Sequence, residues 1–140
     1  MAQSTGAPTK IFINLPVKDL NKSIDFFTKL GFEFNQQFTD ENATCMIVNE
    51  DAAVMLLVED FFKSFISKEL VDATKSTETL VCLSANSRDE VNDLVNKALE
   101  AGGSKAGDPI DQGPMYGWSF QDPDGHHWEV MYMDPSVLES

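Results

Sequence analysis

Apolar and polar residues alternate from Ile11 to Val17 (IFINLPV), as in a half-buried strand with Pro16 near its exit. The period then changes. Leu20, Ile24, Phe27 and Leu30 form a stripe along one helix face. Asp19 is placed to cap that helix, and Gly31 to end it where a left-handed residue is wanted. Phe32 to Phe38 (FEFNQQF) alternates again and predicts a second strand. TDEN is a turn, ATCMIV a third strand, Asn49 to Asp51 a tight turn and AAVMLLV a fourth strand. One helix and four strands therefore occupy residues 10–58.

Residues 59–79 follow a different pattern. Phe61, Phe62, Phe65 and Ile66 predict a short helix with an apolar face, and the polar stretch after it reads as a mobile loop and lid. The first order of elements then returns. LVCLSA is a strand. Ser87, with Glu90 three residues on, is a capping box. Val91, Leu94, Val95, Ala98 and Leu99 form a helical stripe that Gly102 and Gly103 end. GSKAGDPID reads as a short irregular strand and MYGWSFQ as a regular one. DPDG is a β-turn with Pro second and Gly fourth, and His127 to Met133 closes the set. The chain thus reads as βαβββ twice, about 70 residues apart, by element order and helix-end glycines rather than residue identity.

The segments NLPVKDLNKSIDFFTKLGFEF, LEAGG and FQDPDGHHWEV carry a resemblance that covers roughly residues 10–134. They resemble the glyoxalase/bleomycin-resistance/extradiol-dioxygenase proteins, the vicinal oxygen chelate (VOC) superfamily. The chain looks closest to small members labelled predicted lactoylglutathione lyases. The resemblance implies an α+β fold in which two βαβββ modules form a cupped mixed sheet with helices outside. It implies one domain at 10–134: module one at 10–58, a linker at 59–79 and module two at 80–134. Tails then occupy 1–9, expected to be disordered, and 135–140. A homodimer is also implied. Metal-dependent relatives take ligands, usually His or Glu, from four strand positions. By resemblance these fall on Phe12, Leu56, Leu80 and Glu129. Only Glu129 can ligate a metal, so the expectation is a fold without the family's divalent cation, and no other cofactor.

The two histidines, His126 and His127, are adjacent, and strand neighbours point to opposite faces. They cannot both enter one pocket, so the two- and three-histidine sites that suit zinc or iron cannot be built from them. His127 shares a face with Glu129, Met131 and Met133. A carboxylate at Glu129, opposite Phe12, Leu56 and Leu80, is the candidate catalytic base or acid and the candidate anchor for a ligand amine. It could equally be an acid satisfied within the protein. The expected pocket lining is Phe12, Asn14, Met46, Leu56, Leu80, Met115, Tyr116, Trp118, His127, Glu129 and Met131. The aromatic and Met positions among these are also what a core requires. Asn14 is the polar exception in an apolar strand.

Composition narrows the partners. With 10 Lys plus Arg against 23 Asp plus Glu, the net charge is −13. Nucleic acid and anionic membrane surfaces would be repelled. Arg88 is the single arginine. Glutathione presents two carboxylates, so a glutathione substrate is poorly provided for. A neutral or cationic small molecule suits the acidic, aromatic composition better. No basic-then-apolar leader pattern opens the sequence, which reads as cytoplasmic. Cys45 and Cys82 lie in apolar runs and read as buried free thiols. The functions in play are metal-free binding, a metal-dependent lyase or dioxygenase, and a metal-independent enzyme using Glu129.

Overall fold

The computed structural model describes residues 8–138. Of the expected tails at 1–9 and 135–140, residues 1–7 and 139–140 lie outside that range. The chain divides after Glu69 into two compact units, inside the expected linker. The fold is α+β, with a four-stranded and a five-stranded mixed sheet.

In the first unit, β1 (Ile11–Val17) leads through α1 (Leu20–Lys29) to β2 (Glu33–Asn35), β3 (Ala43–Asn49) and β4 (Ala52–Val58). The sheet order is β1-β4-β3-β2, with β1 parallel to β4 and the other pairs antiparallel. The Asp19 carboxylate accepts from the Lys22 amide at the start of α1. Gly31, at φ 105°, takes the chain out of it. The buried face of the helix is Leu20, Ser23, Phe26, Phe27 and Leu30. Ile24 is only half-buried, so the stripe is rotated toward Phe26. The Phe26 and Phe27 rings meet edge to face at 4.9 Å.

The expected second strand is cut short. After Asn35 the backbone turns into a 3-10 turn at Gln36–Phe38, because the Asn35 side chain accepts from the Gln37 amide. A short helix, α2 (Glu59–Lys63), follows β4. Its apolar face is smaller than expected: Phe61 and Phe62 are half-buried, while Phe65 and Ile66 lie beyond the helix and are exposed.

The second unit opens with residues 70–79, which form no regular element. Asp72 holds a turn there. Its carboxylate accepts from the Thr74 amide and hydroxyl, and its carbonyl from Lys75 and Ser76. Then come β5 (Leu80–Ser84), α3 (Arg88–Glu100), β6 (Ser104–Lys105), β7 (Ile110–Gln112), β8 (Met115–Gln121) and β9 (His127–Met133). The expected irregular strand is thus two short strands, both antiparallel to β8. The sheet order is β5-β9-β8-β6, with β5 parallel to β9, repeating the connectivity of the first unit. Ser87 caps α3 by accepting from the Glu90 amide, and Glu90 reaches back to the Asn86 amide. Val91, Val95 and Ala98 of α3 are fully buried. So are Phe120, Trp128 and Val130 of β8 and β9, with the Phe120 and Trp128 rings stacked. Residues 135–138, expected as tail, form a last helical turn, α4 (Pro135–Leu138).

Candidate functional site

Residues opposite one another in a β ladder share a face, so the register fixes which candidates can act together. In the second unit, His127 is opposite Leu80 and Gln121, and Glu129 opposite Cys82 and Ser119. Met131 is opposite Ser84 and Gly117, and Met115 opposite Met133. These residues share the face turned away from α3. His127 and Glu129 touch on it, with Nε2 to Oε2 at 2.5 Å, and both side chains are largely buried. The expected pairing of His127 with Glu129 on one face is therefore present. The carboxylate has a partner inside the protein.

Tyr116 and Trp118 are on the other face, a correction to the expected lining. They alternate with Met115 and Gly117 and are opposite Tyr132 and Val130. The Tyr116 hydroxyl donates to Asn92 of α3 at 2.6 Å, and the Trp118 indole donates to the Gly107 carbonyl. These two rings cannot cover a ligand held by Glu129.

In the first unit, Phe12 and Asn14 share one face, opposite Ala53 and Met55. Met46 and Leu56 are on the other, with Leu15, Val17, Thr44 and Val54, and are fully buried there. They are core residues, a second correction. The Asn14 amide donates along its own strand to the Phe12 carbonyl, at 3.4 Å.

The two ladders also correct the placement of the four family positions. Phe12 and Leu80 stand equally far before the caps Asp19 and Ser87, so Asn14 corresponds to Cys82. Asn14 is opposite Met55, and Cys82 is opposite Glu129. The first-unit counterpart of Glu129 is therefore Met55, one residue before Leu56. A one-residue shift in a strand exchanges its faces. The corrected set is Phe12, Met55, Leu80 and Glu129. Two hydrocarbons, a thioether and one carboxylate are not the set of nitrogen, oxygen and thiolate donors that zinc, iron or manganese take. Among the described residues, no three His, Cys, Asp or Glu side chains are grouped to hold a metal ion.

Cys45 is buried, as expected, but Cys82 is exposed, because Val81 and Leu83 take the core face of β5. Partial desolvation of the sulfur, and then the nearby Glu129 carboxylate, push the Cys82 thiol above its ordinary range. It is therefore a protonated, weakly nucleophilic neighbour of Glu129.

Arg88 is committed elsewhere. Its guanidinium grips Asp111 through two bonds, 2.7 and 3.1 Å, donates to the Gly113 carbonyl and lies over the Tyr116 ring. The contact holds the Asp111 carboxyl below the usual aspartate range. An open groove of about 340 Å³ runs beside Arg88, Tyr132 and Asp134. Tyr132 is on the α3 face, so this groove is separate from Glu129.

Sequence reasoning read DPDG only as a turn and missed its first residue as an organiser. Asp122 is buried. One carboxylate oxygen accepts from the Asp124 and His126 amides, and the other from the Trp128 indole at 3.0 Å. Burial, outweighing these bonds, pushes its carboxyl above the ordinary aspartate value. An Asp opening a tight turn, with a Trp six residues on, is the signal that pointed to it.

No helix among the described residues is long and apolar enough to cross a membrane. No curated protein matches the chain. Hypothetical protein SA1046 from S. aureus is 31% identical, covering 91% of this chain and 95% of its own, with a TM-score of 0.77. A glyoxalase/bleomycin resistance protein/dioxygenase family enzyme from Burkholderia phytofirmans PsJN is 13% identical, with coverages of 87% and 96% and a TM-score of 0.72. The bleomycin resistance determinant encoded on transposon Tn5 is 16% identical, with coverages of 89% and 98% and a TM-score of 0.63. The last two likenesses show the shared fold. The family profile described as Glyoxalase/Bleomycin resistance protein/Dioxygenase superfamily matches residues 11–130, and the chain belongs to that superfamily.

Proposed function

We propose that the chain is a small-molecule-binding member of its superfamily that works without the family's metal. The observation that carries this is the donor set. Of the four equivalent positions, Phe12, Met55 and Leu80 offer no oxygen or nitrogen, and Glu129 stands as the one charged group. A carboxylate in contact with His127, on a sheet face with Leu80, Met115 and Met131, suits a neutral or cationic organic ligand. The net charge of −13 attracts cations and repels anions. The protein acts as a cytoplasmic homodimer, a quaternary arrangement that covers exposed apolar strand residues such as Ile11 and Phe12.

The test joins elemental analysis of native protein to mass spectrometry of whatever co-purifies. A bound organic molecule with no stoichiometric metal supports the reading. One tightly held Zn²⁺, Ni²⁺, Mn²⁺ or Fe²⁺ per chain overturns it. Sedimentation at tens of micromolar checks the dimer, and a monomer there rejects it.

The His127–Glu129 contact favours one second reading, a metal-independent enzyme in which Glu129 moves a proton and His127 orients it. Turnover of the co-purified molecule that is lost in Glu129→Gln, with binding retained, separates this from binding alone.

A further inference from the structure

Gly117 lies in the middle of β8, where glycine weakens a strand and marks a close approach. Its backbone does not require glycine. The positive-φ glycines are Gly31, Gly102, Gly113 and Gly125, and Gly117 is not among them. Space requires it instead. A Cβ at Gly117 would sit 2.3 Å from the Met131 sulfur and 3.4 Å from the Val130 carbonyl oxygen. The Met131 thioether therefore lies in the volume that a side chain at position 117 would fill.

That volume adjoins Glu129. Gly117 is opposite Met131, and two residues along each strand Ser119 is opposite Glu129. Neighbours of this kind on one strand face are about 7 Å apart. One face thus holds a carboxylate and, one rung away, a slot in bare backbone plugged by methionine. Methionine is unbranched and rotates about three side-chain bonds, so it can leave such a slot at little cost and then pack its sulfur on an incoming ring. The rigid residues of this sheet, Trp128, Val130 and Phe120, are all on the other face.

We infer that Met131 determines ligand shape. It vacates the slot over Gly117 for the flat ring of a planar aromatic cation whose positive charge is held by Glu129. This rests on the binding function proposed above and adds the ligand class. A flat ring fits against a strand backbone without a Cβ, and a puckered one does not. The charge of the ligand follows from Glu129 and from the acidic protein around it.

The probes are N-methylquinolinium and cyclohexyltrimethylammonium, which share a charge and differ in flatness. Each is titrated calorimetrically into wild-type protein, Met131→Ala, Gly117→Ala and Glu129→Gln, with wild-type methionine methyl groups followed by NMR. N-Methylquinolinium should bind wild type and shift the Met131 methyl upfield by ring current. Met131→Ala should bind it several-fold more tightly, because no plug has to move, and Gly117→Ala at least about tenfold more weakly. Met131→Ala keeps the inference testable if Gly117→Ala fails to fold. Equal affinity for both probes, each lost in Glu129→Gln, would overturn the slot and leave the Glu129 anchor standing. Glu129-dependent binding of the puckered cation alone would do the same. Binding of neither cation would overturn the slot and the cationic-ligand reading together. An unmoved Met131 methyl at saturation would also reject the slot.

Discussion

Gly125 is packed against the backbone of Ala73: a Cβ there would meet the Ala73 carbonyl oxygen at 3.0 Å. The turn that joins the last two strands is thereby pressed onto the segment that opens the second unit. Gly125 also has φ 90°, which a side chain resists. Gly125→Ala therefore meets strain and collision together. We expect it to cost about 2–3 kcal/mol in urea unfolding. Gly102→Ala has the strain at φ 115° with open space around it, and should cost about 1 kcal/mol. Equal costs would show that the Ala73 contact contributes nothing.

The same contact bears on the segment expected to be a mobile loop. Thr74, Lys75 and Ser76 amides all donate to Asp72. We expect them to exchange more slowly than the amides of 67–71, and Asp72→Ala to remove the protection of Thr74, whose acceptor is the side chain. Fast exchange at all of these positions in wild type would mean that the turn is not maintained in solution.

Asp122→Asn presents an amide N–H₂ toward the Trp128 indole or toward two backbone amides, so at least one donor loses its acceptor whichever way it turns. We expect a loss of about 1–3 kcal/mol at neutral pH. The wild-type carboxyl titrates above 3.8, its ordinary value. Folding therefore takes up a proton between the two values. Stability linked to that proton is fully present below the unfolded value and lost as pH rises through the folded one. The deficit of Asp122→Asn should thus grow as pH falls through this window. A deficit independent of pH would contradict the raised value.

Glu129→Leu leaves His127 without its carboxylate, but His127 keeps access to water at 21% side-chain exposure. We expect stability to change by no more than about 1 kcal/mol. Calorimetric titration of zinc, nickel, manganese or iron(II) into wild-type protein should show no tight site, and neither Glu129→Leu nor Glu129→Gln should change that. Unfolding of Glu129→Leu would make Glu129 a structural hub instead of a ligand anchor.

Arg88→Lys keeps the charge and loses the two-pronged grip on Asp111. Amide exchange at Ile110 and Gln112 of β7 should quicken while the α3 amides stay unchanged. If β7 exchange is unaffected, the strand is held by its ladder with β8 alone.

The fold was legible where local chemistry is decisive. Asp19 and Ser87 announced helix starts, Gly31 and Gly102 their ends, and DPDG the final turn. The site was less legible because face assignment needs alternation. AAVMLLV is apolar throughout, so nothing in it distinguishes Met55 from Leu56 until the ladder with Asn14 is seen. MYGWSFQ misled in the opposite way. Its large aromatics drew attention to Tyr116 and Trp118, whereas the face beside Glu129 carries Met115, Gly117 and Ser119. FEFNQQF kept strand alternation up to the point where Asn35 closed on its own backbone. The exposure of Cys82 followed from alternation with Val81 and Leu83, a signal that was present but outweighed by the apolar run around it.

In each unit the first strand is hydrogen-bonded to the last, parallel and by a long crossover. This has a consequence for biosynthesis. β5 leaves the ribosome with its edge unpaired and must wait for His127 to Met133 before its backbone is satisfied. β1 waits for β4 over a separation only slightly shorter, Ile11 to Ala52 against Leu80 to His127. The nascent chain therefore passes through two such intervals, the second with Leu80 to Ser84 uncovered, and damage to the DPDG turn would lengthen that second interval even if the finished protein tolerated it.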